Sequence, residues 1–380
     1  MNKELVNKIM TKKNIIIASV VLVFIAAIII VFAVINSNDN ASNPNKKEVN
    51  KLEKMGLKVK ENEVKSLNLV DYENNELTMK IPEGYKVETT GTGMFYVLKV
   101  YDPNEERNQI FTILKAQPFL KSNEAKNLWK NYSSLYGANS PYRGFSDAIV
   151  MNNPTVEEFF IKFPEYVKYG KSLEPLYATF NFPELNSFKK IEEFPANSPL
   201  QAFALDDKIL RATFNTDEGK EGEGFFMASV VDLGNISAFG MDISYYMIYN
   251  IMGITSVKDE MINYKDILTK SLNTLEFKES YVQKTIDDGN EETKRALQIN
   301  AQMQAAYDSY NQAWENRQTS YDISSQKYSD ATLGYERVYN PETGDIYKAY
   351  NGFTDDFPDS NFEPITDDMY TSPITGYIEK

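Results

Sequence analysis

The sequence predicts an α+β protein held at a membrane by one N-terminal transmembrane helix, and three observations carry that prediction. The 21 residues from Ile15 to Ile35 are apolar except for Ser19. Short β-branched runs punctuated by turn residues fill much of the chain after residue 67, and apolar stripes at helical spacing are interleaved with them. The layout is a cytoplasmic tail at 1–13, a transmembrane signal anchor at 14–36, a polar stalk at 37–66, an extracytoplasmic α+β domain at 67–280, a helical segment at 281–333, and a β-hairpin with an acidic tail at 334–380.

The anchor comes first because it decides where the rest resides. As a helix the apolar run spans about 31 Å, enough to cross the hydrocarbon core of a bilayer. Lys3, Lys8, Lys12 and Lys13 precede it against the single acid Glu4, which places the N-terminus in the cytoplasm by the positive-inside rule. A cleaved signal peptide would have a shorter apolar core and small residues at its exit, whereas this exit reads Phe32-Ala33-Val34-Ile35-Asn36. The expected location is the cell membrane, single-pass, with the C-terminal part outside.

Composition removes whole classes of chemistry. The 380 residues include no Cys and no His. Cys-His and Ser-His-Asp catalysis, Cys/His zinc sites, disulfide scaffolds and a lipoprotein anchor are therefore excluded. An outside protein without disulfides fits an envelope that seldom uses them, such as that of a Gram-positive bacterium. The formal net charge is −14, and because the residues up to Ile35 hold four lysines and one glutamate, the remainder carries −17. Nucleic acid is not an expected partner, since its recognition needs clustered positive charge.

Residues 37–66 are polar and charged and predict a stalk with a short helix near Val49 to Met55. Strands follow at residues 77–81, 85–89, 94–100 and 109–116, separated by Pro82-Glu83-Gly84, Gly91-Thr92-Gly93 and Asp102-Pro103-Asn104, and they predict an antiparallel meander. Ser122 then sits as an N-cap with Ala125 at the third helical position, and Ala125, Leu128, Trp129, Tyr132 and Leu135 recur at helical spacing. A second helix is predicted from Thr155, with Val156, Phe159, Phe160, Phe163 and Val167 as a core stripe and Pro164 kinking or ending it. Strands return between residues 187 and 254, a helix starts near Lys258, and residues 275–277 form a short run.

Between Gly289 and Gly334 no Gly or Pro occurs, which predicts a long helix or helical hairpin, with a break in the Ser-, Thr- and Asp-rich residues 319–325. Its narrow stripe includes Tyr310, Trp314 and Tyr321, the candidate interaction surface. The clearest hairpin is Tyr335-Glu336-Arg337-Val338-Tyr339, a turn at Asn340-Pro341-Glu342-Thr343-Gly344, and a second strand to Tyr350.

The stretch LTMKIPEGY at 77–85, continuing through FYVLKVYDPNEERNQIFTILKAQPFLKS to Ser122, resembles the opening of PsbP/Mog1-like domains. The resemblance covers at most residues 67–277. It implies an antiparallel sheet sandwiched by helices and a role as an assembly factor or binding scaffold, not an enzyme. Without His, any His-dependent metal site of photosynthetic members cannot be present. Residues 334–344, with the preceding Trp-containing helix, are similar to the C-terminal part of uncharacterised bacterial envelope proteins.

Three motifs have plainer readings. Residues 340–344 and Ser372-Pro373-Ile374-Thr375-Gly376 look like sortase pentapeptides but lack the apolar segment and basic tail of a sorting signal. Asp355, Asp356, Asp359, Asn361, Glu363, Asp367 and Asp368 offer calcium-type oxygens without calcium-loop spacing. Residues 218–224 are glycine-rich, but their acids would repel phosphate. No catalytic residue, metal ligand or cofactor is assigned. The expected function is extracytoplasmic binding or assembly with the bilayer and another envelope protein as partners. The alternative is a cell-wall glycoside hydrolase, which would need a cleft with two carboxylates about 5–10 Å apart.

Overall fold

The computed structural model describes residues 44–137, 140, 142–196, 198–233, 237–238, 240–287 and 320–380. These form two compact units, the smaller from residues 44–60, 336–364 and 376–380 and the larger from 61–335 and 365–375. The predicted anchor at 15–35 and the predicted helix at 290–318 lie outside the described residues. Among the described residues no helix is long and apolar enough to cross a membrane. The described architecture is α+β with antiparallel sheets.

The chain enters the smaller unit with α1 (Pro44–Lys54) and β1 (Lys58–Glu61). In the larger unit α2 (Glu63–Ser66), β2 (Leu69–Glu73) and β3 (Leu77–Pro82) lead to the meander β4 (Lys86–Thr90), β5 (Val97–Asp102) and β6 (Glu105–Lys115). After β7 (Phe119–Leu120) come α3 (Asn123–Ser134), α4 (Arg143–Ser146), β8 (Ile149–Val150), α5 (Val156–Ile161) and α6 (Phe163–Leu173). Long strands β9 (Asn186–Pro195), β10 (Ala204–Asn215) and β11 (Glu221–Leu233) follow, then the small β12 (Ser237–Ala238) and β13 (Met241–Asp242), and β14 (Tyr245–Val257). The unit continues through α7 (Met261–Leu272), β15 (Glu276–Phe277), α8 (Glu279–Asp287) and α9 (Ser320–Leu333).

One large sheet runs β4-β5-β6-β14-β11-β10-β9, with β7 beside β14 and β8 beside β7. Its central strands are buried on both faces, which explains their continuous apolar runs. On one face Leu98, Val100, Ile110, Leu114, Met227 and Met252 pack with Met261, Leu268 and Leu272 of α7 and with Leu77, Met79 and Ile81 of β3. On the other Phe111, Ile113, Phe226 and Ile251 pack with Val156, Phe159, Phe160, Phe163 and Tyr166 of α5 and α6. The two faces exchange parity within β14. Met247 and Tyr249 share a face with Met252 and Ile254 because Asn250, at φ 51°, sits in a bulge where the β11 register slips. Gly253 is required beside it, since a Cβ there would lie 2.2 Å from the Phe111 ring.

Caps follow the predicted chemistry. Ser122 Oγ accepts from the Ala125 amide at 3.1 Å and Thr155 Oγ1 from the Glu158 amide at 3.2 Å. Pro164 divides the second helix into α5 and α6, because a proline fits the first turn of a helix but not its interior.

Four segments depart from expectation. The strand at 77–81 is predicted as the first of the meander, but β3 pairs with β2 and β15 in a separate three-stranded sheet, and the meander itself is β4-β5-β6. Residues 44–66 form α1, β1 and α2 where a stalk is predicted, and Leu52 and Leu57 are buried. Two well-placed leucines give an otherwise polar segment a surface to cover. Residues 320–325 are helical where a break is predicted. The predicted strand at 201–206 starts only at Ala204 and runs unbroken through 215.

The smaller unit closes with β16 (Tyr335–Tyr339), β17 (Ile346–Tyr350), α10 (Phe353–Asp356), β18 (Glu363–Pro364) and β19 (Gly376–Glu379), in sheet order β1-β19-β17-β16-β18. Leu52, Leu57, Val338, Tyr347, Phe353, Phe362 and Ile378 form its core. The predicted hairpin turn is present: Asn340 Oδ1 accepts from the Glu342 amide at 2.9 Å, and the Gly344 amide donates to the Asn340 carbonyl at 2.7 Å with φ 74°. The second pentapeptide is folded as well: Ile374 and Thr375 are buried and belong to the larger unit.

Candidate functional site

Of the three predicted surface residues, Tyr310 and Trp314 lie outside the described residues, and only the backbone of Tyr321 is described, in α9. Tyr328 of α9 is exposed, and a cluster of rings that reaches the surface of the larger unit lies on α3 and α4. The Trp129 ring stacks on Phe145 at 4.6 Å and on Tyr142 at 5.7 Å. Tyr142 in turn meets Tyr132 at 5.0 Å and Tyr136 at 5.3 Å, and Phe145 meets Tyr245 of β14 at 5.0 Å. Trp129 is fixed by its indole N–H, which donates to the Ile243 carbonyl at 3.4 Å.

The cluster is inside at one end and outside at the other. Ala125 is fully buried, Trp129 and Phe145 are half-buried, and Tyr132, Tyr136 and Leu135 are 42%, 50% and 76% exposed. The stripe that predicts a packing face on α3 is therefore a packing face only in its first half. In its second half Tyr132 meets the rings of Trp129, Tyr136 and Tyr142 and stays partly open to solvent. Lys126 and Lys130 border it without a carboxylate within ion-pair distance among the described residues, and burial, with Lys130 nearby, lowers the Lys126 pKa. A shared hydrogen bond with Tyr136 raises that of Tyr132.

Two clefts lie elsewhere in the larger unit. The first, of about 330 Å³, is lined by Lys99, Glu105, Glu106, Arg107, Gln109, Asn181, Glu218 and Lys220 among others. Three of its four acids pair with cations, and the fourth, Glu184, accepts from the Asp217 amide at 2.8 Å. Lys99 pairs with Glu106 at 3.0 Å, Arg107 grips both oxygens of Glu105 at 2.7 Å each, and Lys220 pairs with Glu218 at 2.8 Å. The Arg107 guanidinium holds the Glu105 carboxyl below its ordinary pKa, and Lys220 does the same to Glu218. A general acid needs the opposite shift.

The second cleft, of about 540 Å³, lies between the 91–95 turn and α8 and has Lys115 in its lining. Burial lowers the pKa of this lysine. The only trace of it in the sequence is a basic residue ending the apolar run Ile110 to Leu114.

Three of the acids among residues 355–368 have partners of their own: Asp356 pairs with Lys380 and Tyr350, Glu363 with Tyr339, and Asp367 with Lys327. Among the described residues no group of three or more acidic side chains is close enough to hold a metal ion. No protein-family model and no curated protein matches the chain.

Proposed function

We propose that this is a single-pass, membrane-anchored extracytoplasmic binding or assembly protein of a bacterial cell envelope, which docks a partner protein through the rings of α3 and α4. The observation that carries the reading is the contiguous cluster Trp129, Tyr132, Tyr136, Tyr142 and Phe145, open at Tyr132, Leu135 and Tyr136. Trp and Tyr dominate binding energy in protein interfaces because they bury large rigid area at little entropic cost. Lys126 and Lys130 on the rim favour a partner with an acidic border. The apolar run 15–35 and its basic flank support the anchor. The antiparallel sheet with helices against both faces supports placing the larger unit among PsbP/Mog1-like domains. Carboxylate hydrolysis is the weaker reading, because Arg107 and Lys220 hold Glu105 and Glu218 of the first cleft below the ordinary carboxylate pKa, the opposite of what a general acid needs.

Cross-linking in intact cells, with the full-length chain as bait, tests the docking. The expected result is one envelope protein joined to residues 126–145 and lost from a Tyr132→Ser, Leu135→Ser, Tyr136→Ser triple variant of unchanged circular dichroism. Equal capture by the variant overturns it. Retention in membranes at alkaline pH, lost when 15–35 are deleted, tests the anchor.

A further inference from the structure

The cleft at Lys115 has an unusual charge arrangement. Lys115 ends β6, and its ammonium lies over two rings, 5.4 Å from the centroid of Phe95 and 5.8 Å from that of Tyr249. It makes no hydrogen bond or ion pair among the described residues. The lining holds one further cation, Lys284, and one acid, Glu76. A site with two cations to one anion stands out in a chain of net charge −14. Rings alone compensate a desolvated ammonium only in part.

The walls are held in place. Gly91 adopts φ 81°, and a Cβ there would lie 1.9 Å from the Phe95 carbonyl oxygen, so only glycine permits this turn. Two tyrosines pin the turn from opposite sides. The Tyr177 hydroxyl donates to the Phe95 carbonyl at 2.5 Å, and the Tyr281 hydroxyl of α8 donates to the Gly93 carbonyl at 2.7 Å. The result is a preformed cavity with a cation in its lining and Met94, Phe95 and Tyr281 as apolar walls. Its volume is in the range that holds small organic ligands.

The geometry points to a binding site for an organic carboxylate with an apolar or aromatic body, its carboxylate meeting Lys115, its body lying against Phe95 and Tyr281, and Lys284 assisting at the rim. The chemistry is shared by a free aromatic acid and by the C-terminus of a peptide ending in an aromatic residue. An anion beside Lys115 supplies the counter-charge that its surroundings lack, so binding restores its affinity for a proton. Glu76, Lys284 and Tyr281 are the other titratable groups that line the cleft, and burial raises the Tyr281 pKa, which keeps that phenol neutral.

Calorimetric titration of the full-length chain with N-acetylphenylalanine and with acetyl-glycyl-glycyl-phenylalanine tests the site, and the amides of both serve as uncharged controls. The carboxylates are expected to bind roughly tenfold or more tightly than the amides, the worth of one charge-assisted contact. Lys115→Met is expected to abolish that preference and Lys284→Met to reduce it. Repeating the titration just below the ordinary lysine pKa, inside the window where burial leaves Lys115 partly deprotonated, in buffers of different ionisation enthalpy should show proton uptake by the wild type and none by Lys115→Met. Tighter binding of the tripeptide identifies a peptide C-terminus, and equal binding a small acid. If acid and amide bind alike, if neither binds, or if Lys115→Met retains the preference, the inference is overturned. The proton measurement stands apart from the docking experiment, so either can fail alone.

Discussion

Lys99 and Lys115 stand on adjacent strands of one sheet and receive opposite treatment. Lys99 is 2% exposed, yet it has Glu106 at 3.0 Å and the Tyr101 ring at 4.6 Å. Arg211, 3% exposed, lies near both Glu223 and Glu192. Lys115 is less deeply placed and, among the described residues, meets only the Phe95 and Tyr249 rings. Buried charge in this fold is thus normally compensated, and the exception faces a cavity. A compensated charge contributes to holding the fold, whereas an uncompensated one costs stability unless something else occupies the site.

The comparison breaks most visibly at its strongest pair. Arg211→Met removes the guanidinium that lies 3.7 Å from the equally buried Glu223, and should cost about 3–5 kcal/mol in urea unfolding. A loss under 1 kcal/mol would mean that the pair is not compensating charge at all. Lys99→Met should cost less, about 1–2 kcal/mol, because the Glu106 it abandons is half-exposed and keeps the Asn181 amide as donor at 3.0 Å. Lys115→Met should act in the other direction, stabilising the ligand-free chain by about 1 kcal/mol, since it removes a charge that nothing compensates and keeps the packing of an unbranched chain. Destabilisation there would place Lys115 among the structural lysines and dissolve the contrast.

Much of the scaffold was legible in the sequence. The N-cap Ser122, the helix start at Thr155, the division at Pro164, the Phe159-Phe160-Phe163 stripe and the turn at 340–344 are local, and their chemistry is written in adjacent residues. Residues 44–66 were not legible as folded structure, because Leu52 and Leu57 acquire a partner only from strands nearly three hundred positions later. The ring surface was half legible. Helical spacing places Trp129, Tyr132 and Leu135 on one face of α3, but spacing cannot say which part of that face stays open to solvent. Lys115 was the least legible, since whether a lysine at a strand end meets an acid or a cavity depends on the turn at 91–95 and on α8, both distant in the chain.

The smallest expected effect is also the one that isolates Lys115 from every other group. Burial lowers its pKa in the folded chain below the ordinary lysine value of the unfolded one. Between those two values the unfolded state binds more protons than the folded state, so the stability of the wild type rises with pH across that window. Below the window the penalty is present in full, and above the ordinary lysine value it vanishes because both states are neutral. The buried phenols Tyr85, Tyr166 and Tyr169 act in reverse. Their folded pKa values are raised by burial, so they withdraw stability only as pH climbs past the ordinary tyrosine value near 10. The stability of Lys115→Met minus that of the wild type cancels these phenols. That difference should be largest at neutral pH and shrink steadily as pH rises toward the ordinary lysine value. A difference that stays flat would mean the ammonium is as well solvated folded as unfolded, and would remove the physical reason for a carboxylate to seek it.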